Sequence, residues 1–128
     1  MPSTTIADYQ VLKDAQFTLE EQDAYTMKFQ VPSDFAVESG ARQPILAFKL
    51  LPLQDNTAFK VYVNDRQVIT QANISQSHTR GWWESFSART AFPHNAPFPT
   101  DNTVEIRVTN GKAQFSDVVL WYQIRREG

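Results

Sequence analysis

Hydrophobic and polar residues alternate along much of this chain with the two-residue period of a β-strand. The clearest run covers 58–64, where Phe59, Val61 and Val63 fall on one face. The residues at 60, 62 and 64 fall on the other face. Such alternation predicts a strand with one buried and one wet face. Related patterns predict further strands, over 9–13, 16–20, 24–31, 45–51, 68–71 and 103–108. The segment 82–90 fits either a strand or one helical turn, and no segment has the pattern of a long helix.

Turn signals separate these runs. Asn64-Asp65-Arg66-Gln67 is predicted to form a turn after the strand at 58–64, because asparagine and aspartate tolerate left-handed backbone. Asn110-Gly111 lies between two strand-like runs in 103–125. Asn-Gly is typical of a type I′ turn, in which both central residues have positive φ. We therefore predict a closing β-hairpin around Asn110-Gly111.

About eight short strands with frequent turns predict an all-β protein built as an antiparallel two-sheet sandwich. The 128 residues fit one domain, 1–128, that buries a core without disulfide staples.

Two strand motifs resemble those of the jelly-roll sugar-binding domains that occur in glycoside hydrolases and as carbohydrate-binding modules. They are FKVYVND at 59–65 and NTVEIRVTNG at 102–111, and the resemblance extends over about 58–124. In that family the first strand ends in xVxVNG and the later one reads NxIxVxV. Asp65 stands here where the family usually has glycine. The resemblance implies an antiparallel jelly-roll sandwich of a kind that often binds sugar, and it transfers no individual binding residue.

Composition narrows the class of partner. The net charge is −2 and there is no cysteine, so we expect no nucleic-acid ligand and no thiolate metal site. No apolar run is long enough to span a bilayer, and the first ten residues lack a secretory pattern. We therefore expect no membrane insertion and a cytoplasmic location by default, with signal-less export as the alternative.

The cluster Arg80-Gly81-Trp82-Trp83-Glu84 is the most unusual in the chain. Tryptophan suits sugar binding because its flat ring stacks on the apolar face of a sugar while carboxylates, amides and arginine bond the hydroxyls. Adjacent residues of a strand point to opposite faces, so at most one of the two tryptophans joins the core from that strand. Burial of both is the alternative. The candidate ligand-binding residues are Trp82, Trp83, Glu84, Arg80, His78, Asn73 and His94.

The strand-like run that follows Asn110-Gly111 carries apolar residues on both faces. Val119 and Trp121 share one parity, and Leu120, Tyr122 and Ile124 share the other. This predicts a central strand or one that also meets a partner, with Trp121 in the core. Asp117 at its start is expected to pair with backbone N–H groups or with Arg107 or Arg125.

Signatures of catalysis and metal binding are missing. There is no His-x-His and no Gly-x-Ser-x-Gly, and the histidines at 78 and 94 are isolated. Oxygen-rich turns at 55–56, 64–65 and 101–102 suit calcium but are also ordinary turn chemistry. We predict no catalytic residue, no metal ligand and no cofactor, with a structural calcium as the alternative.

These observations favour a non-catalytic carbohydrate-binding sandwich, either a small lectin or a carbohydrate-binding module. The alternative is a structural or assembly sandwich of the tail, capsid or secretion-apparatus type. Because weak single sites gain from multivalency and the last strand is apolar on both faces, we expect a homo-oligomer in either case.

Overall fold

Two antiparallel sheets form the molecule in the computed structural model, which describes residues 3–32, 35, 43–92 and 102–127. The strands within those ranges are β1 (Ser3–Lys13), β2 (Phe17–Glu20), β3 (Ala24–Phe29), β4 (Ile45–Pro52), β5 (Thr57–Val63), β6 (Arg66–Ile74), β7 (Arg80–Ser85), β8 (Asn102–Asn110) and β9 (Lys112–Glu127). One helical turn, α1 (Ala88–Ala91), follows β7. Both alternatives predicted for 82–90 are thus present, one after the other.

The strand order is that of a jelly roll. Sheet A runs β1-β9-β4-β7, with β2 also paired to β9, and sheet B runs β3-β8-β5-β6. β1 and β2 lie one after the other along the same side of β9. Counted as one interrupted strand, they leave two four-stranded layers between which the chain crosses repeatedly, as in a jelly roll. The predicted all-β sandwich is confirmed.

The core lies between the sheets and follows the predicted alternation. Phe59, Val61 and Val63 of β5 are fully buried, as are the apolar residues of β8 at 104, 106 and 108. The Phe59 ring meets the rings of Phe48 and Phe115 edge-on, with centroids 5.9 and 5.8 Å away. These contacts join β4, β5 and β9, so each sheet buries its apolar face against the other.

The turn predicted over 64–67 is present but tighter, because Arg66 and Gln67 already pair with β5 and only Asn64-Asp65 form the turn. It joins β5 to β6, and its two residues have φ of 51° and 65°, as a type I′ hairpin turn requires. The Asn64 side chain holds it in place, because Nδ2 donates to the Ala91 carbonyl at 3.0 Å and Oδ1 accepts from the Thr103 N–H at 3.0 Å.

The predicted hairpin at Asn110-Gly111 is wrong. β8 pairs with β3 and β5 in sheet B, whereas β9 pairs with β1, β2 and β4 in sheet A. The Asn-Gly segment therefore carries the chain from one sheet to the other. Only Gly111 has positive φ, at 78°, and Asn110 stays in the ladder opposite Ala58. Pairing with distant strands decides the connection here, not the local turn signal.

A bulge in β9 explains its two apolar faces. The register against β4 slips between Ala47, opposite Val119, and Lys49, opposite Ser116. Asp117 lies within this slip with φ of 49°. The buried positions are odd-numbered before the bulge and even-numbered after it: Ala113, Phe115, Val118, Leu120, Tyr122 and Ile124. β9 is a central strand, as predicted, and the bulge turns Val119 and Trp121 to the outer face of sheet A.

Candidate functional site

Strand β7 separates the residues of the predicted tryptophan cluster. Its register places Arg80, Trp82 and Glu84 opposite the buried residues of β4, at 50, 48 and 46. These three share the inward-facing parity of the strand. Trp83 stands opposite Ala47 and points to the outer face of sheet A, where 69% of it is exposed. The expectation that at most one tryptophan would join the core from this strand is confirmed.

Trp82 packs against the core. Its ring meets that of Phe59 edge-on at 5.6 Å between centroids, and Nε1 is buried without a hydrogen-bond partner among the described residues. Trp82 therefore joins the β7 edge to sheet B, and its predicted role in ligand binding stays a prediction.

The other predicted binding residues lie apart from Trp83. Asn73 is exposed on β6 at an irregularity of the β5–β6 ladder, with φ of 59°. His78 is exposed in the segment that joins β6 to β7, and His94 lies outside the described residues. No hydrogen bond or ion pair joins any two of the predicted residues that the structure describes. Their roles in binding stay predictions.

The outer face of sheet A carries a row of exposed aromatic side chains. Trp121 lies there at 43% exposure and Tyr9 at 55%, so the prediction that Trp121 belongs to the core is wrong. Their rings pack together with centroids 5.0 Å apart. We call the exposed aromatics and their apolar neighbours on this face the aromatic platform: Tyr9, Val11, Ile45, Ala47, Trp83, Val119 and Trp121.

A trough of about 390 Å³ runs between the two tryptophans of the platform. Trp83 and Trp121 form its sides, and Ile45 and Ala47 form its floor. The tryptophans lie two strands and two residues apart in the register, which places their Cα atoms about 12 Å apart. The trough is open to solvent and almost wholly apolar, so it suits the apolar face of an elongated ligand.

A polar hollow of about 240 Å³ continues the trough along β4. It is lined by Gln16, Lys49, Leu51, Thr79, Gln114, Ser116 and Asp117. Lys49 Nζ lies 3.3 Å from Asp117 Oδ2, and both side chains are partly exposed. The expected pairing of Asp117 with Arg107 is wrong, because the Arg107 guanidinium instead contacts Glu105 at 2.8 Å; the Arg125 side chain lies outside the described residues.

Sequence reasoning missed most of this surface. Tyr9 and Val11 alternate on β1, and Ala47 and Lys49 alternate on β4, so their shared outward parity was visible in principle. The position of Trp121 was not, because it depends on the bulge at Asp117.

Within the described ranges, no three His, Asp or Glu side chains gather as metal ligands would. The Asn64 amide, part of one oxygen-rich turn, is engaged with Asn102 Oδ1 at 2.9 Å. Over the same ranges, no helix has the length and hydropathy that crossing a bilayer demands.

Comparison with known proteins supports the fold alone. No family model and no curated protein match the chain. Among solved structures, a β-porphyranase of glycoside hydrolase family 86 from Bacteroides plebeius matches 98% of this chain at a TM-score of 0.61 and 13% identity. The VP2 protein of infectious bursal disease virus matches 94% at a TM-score of 0.61 and 10% identity. Dimeric latent PorU from Porphyromonas gingivalis matches 98% at a TM-score of 0.58 and 9% identity.

The chain spans 22%, 32% and 13% of these three proteins, respectively. A β-sandwich of similar fold thus occurs within a glycoside hydrolase and within a viral particle protein. Because one fold serves unrelated functions, the argument for function has to come from the surface.

Proposed function

We propose that the chain is a non-catalytic carbohydrate-binding sandwich that holds its glycan against the outer face of sheet A. The observation that carries this proposal is the aromatic platform, in which Trp83 and Trp121 flank an apolar trough. Exposed tryptophans on a rigid sheet offer stacking area that needs no rearrangement on binding.

The two ends of this face would serve different parts of a sugar. The apolar ring faces would stack on the tryptophans, above Ile45 and Ala47. The hydroxyls would bond to the polar hollow, where Lys49 supplies donors, Asp117 supplies acceptors and Gln114 supplies both. A glycan that also reaches Arg80 or Glu84 has to pass around the β7 edge, since those side chains share the inward parity.

A glycan array with the purified protein, with and without calcium, tests the proposal first. A titration of tryptophan fluorescence with the best glycan then compares Trp83→Ala and Trp121→Ala with the wild type. Each variant should bind about tenfold more weakly, the loss of roughly 1.4 kcal/mol expected for one stacked ring. Trp83→Ala should also unfold at nearly the wild-type denaturant concentration, because 69% of Trp83 is exposed. Trp121→Ala should lose some stability, because Trp121 is 43% exposed and packs on Tyr9, so its affinity is measured under conditions where the variant is folded.

Tyr62→Ala is the matched control. Tyr62 lies on the opposite outer face, in sheet B, with the Arg107 guanidinium 5.5 Å from its ring centre. Its loss should leave glycan affinity unchanged. A blank array from folded protein, or unaltered affinity in both tryptophan variants, would contradict carbohydrate binding at this face.

A second function is favoured by the apolar character of the same surface. Contiguous exposed apolar patches mark protein interfaces as well as ligand sites, so an assembly subunit would bury the platform against another protein. Sedimentation velocity distinguishes the two: an assembly subunit should form large species that Trp83→Ala and Trp121→Ala dissociate. If both variants sediment at the same size as the wild type, assembly through the platform is contradicted.

A further inference from the structure

The first strand has one paired and one free edge. β1 runs for 11 residues and pairs with β9 through an uninterrupted register from Ser3 to Val11. No strand in the described ranges pairs with its other side. That side presents backbone donors and acceptors to any strand that can approach. One of them, the Tyr9 N–H, donates to Asp8 Oδ1 at 2.8 Å, and an added strand has to take the place of that carboxylate.

The other edge strands of the sandwich are shorter or irregular. β3 and β7 have six residues each, and β2 has four. β6 is broken by irregularities in its ladder and by the positive φ of Asn73. Short length and bulges are features that limit edge-to-edge pairing. Over residues 3–11, β1 is long and has no bulge against β9. Its single lysine, Lys13, lies 5.5 Å from the Tyr25 ring centre, so its charge does not oppose pairing along residues 3–11.

Apolar side chains are exposed on both faces of β1. Tyr9 and Val11 lie on the outer face, each more than half exposed. Ile6 lies on the inner face, opposite Ile124, and is 40% exposed although Ile124 itself is buried. A strand added beside β1 would cover apolar surface on both faces and satisfy the free backbone groups.

We propose that the added strand is β1 of a second copy of this chain, antiparallel and centred on Tyr9. In that register Tyr9 faces its own counterpart, Ala7 faces Val11, and Asp8 faces Gln10. Apolar residues then meet apolar residues on the outer face, and no like charges meet. Centring the pair on Asp8 would set two carboxylates face to face, which is unfavourable.

The dimer joins two copies of sheet A into one sheet. The Tyr9 rings, each packed on Trp121 of its own chain, meet across the two-fold axis and join the two platforms. Two sites on one rigid surface bind a repeating ligand more tightly than either site alone. The pairing itself does not depend on carbohydrate binding.

Because the chain lacks cysteine, single-cysteine variants report the register directly. Tyr9→Cys should form a covalent dimer as its main product under mild oxidation. Ser85→Cys, an exposed position on the opposite edge strand β7, should stay monomeric under the same conditions. A mixture of Ala7→Cys and Val11→Cys should cross-link far more than either variant alone.

Sedimentation equilibrium of the cysteine-free protein provides the second measurement. The wild type should dimerise, and Val11→Lys should weaken the dimer at least tenfold. Thr26→Lys, which places the same side chain at an exposed position of β3, should not weaken it, and neither should Trp83→Ala.

Three results would overturn the edge dimer: a wild-type monomer at all concentrations, equal cross-linking of Tyr9→Cys and Ser85→Cys, or a dimer that Val11→Lys leaves intact. Glycan binding is measured separately, so its absence leaves these outcomes unchanged.

Discussion

Of the two glycines that the structure describes, Gly111 has less room for a side chain. Its φ is 78°, and a Cβ placed on it would lie 2.6 Å from Thr57 Oγ1 and 3.0 Å from Thr57 Cα. Thr57 is fully buried and cannot move into solvent. Its hydroxyl donates to the Gln54 carbonyl at 2.7 Å, with the Lys112 carbonyl 3.3 Å away. Gly111→Ala therefore strains the crossover between the sheets at two points.

The cost follows from three separate effects. Left-handed backbone costs an alanine about 1 kcal/mol relative to glycine. Pushing the Thr57 side chain off its rotamer costs roughly 0.5–1.5 kcal/mol, and weakening its buried hydrogen bond costs about 1 kcal/mol. We expect Gly111→Ala to lower the free energy of unfolding by about 2–4 kcal/mol.

Urea unfolding followed by tryptophan fluorescence measures this loss, and Gly81→Ala is the control. Gly81 lies on β7 with no atom within 4 Å of the Cβ position, so alanine there should be neutral or up to about 1 kcal/mol stabilising. A loss below about 1 kcal/mol for Gly111→Ala, or equal changes in the two variants, would refute the argument from crowding and φ.

Other substitutions probe the core, the hairpin and the polar hollow. Phe59→Ala, at the centre of the aromatic cluster, should cost about 3–5 kcal/mol in urea unfolding; a loss below 2 kcal/mol would mean that the cluster repacks. Asn64→Ala should cost about 2–3 kcal/mol, because it combines lost side-chain hydrogen bonds with an unfavourable φ. Asn64→Gly should lower the free energy of unfolding by less, since glycine adopts the positive φ without strain. Equal losses in the two variants would show that φ does not contribute. Lys49→Met should change stability by less than about 1 kcal/mol, as expected for an exposed ion pair; a larger loss, insensitive to salt, would indicate a buried role for the Lys49–Asp117 contact.

The core strands were predictable because they depend on local alternation, whereas β1 begins at Ser3 and not at Tyr9 as predicted. Phe59, Val61 and Val63 follow a strict two-residue period, and a sheet with one buried face has no other way to arrange them. The turn at Asn64-Asp65 was predictable for the same reason, because two residues that tolerate positive φ join two strands that do pair with each other.

The crossover at Asn110-Gly111 was not predictable from its own residues. Asn-Gly favours a tight reversal between two paired strands, but β8 pairs with β3 and β5 in sheet B, and β9 pairs with β1, β2 and β4 in sheet A. The contact that fixes Gly111 comes from Thr57, 54 positions earlier, and no local pattern indicates it. In a sandwich, the sequence of a turn limits its backbone angles and leaves open which strands pair on either side.

The candidate site depends on the bulge in β9, which the alternation of apolar and polar residues does not reveal. A regular β9 that buried Ala113 and Phe115 would also bury Val119 and Trp121, and would expose Leu120 and Tyr122. The extra residue at the Asp117 bulge reverses this parity, so the larger apolar set reaches the core and Trp121 reaches the outer face. The same bulge brings the Asp117 carboxylate beside Lys49 in the polar hollow. The aromatic and polar halves of the outer face thus have a common origin in the backbone of β9, and the residues next to Trp83 in the sequence do not indicate that Trp121 shares its face.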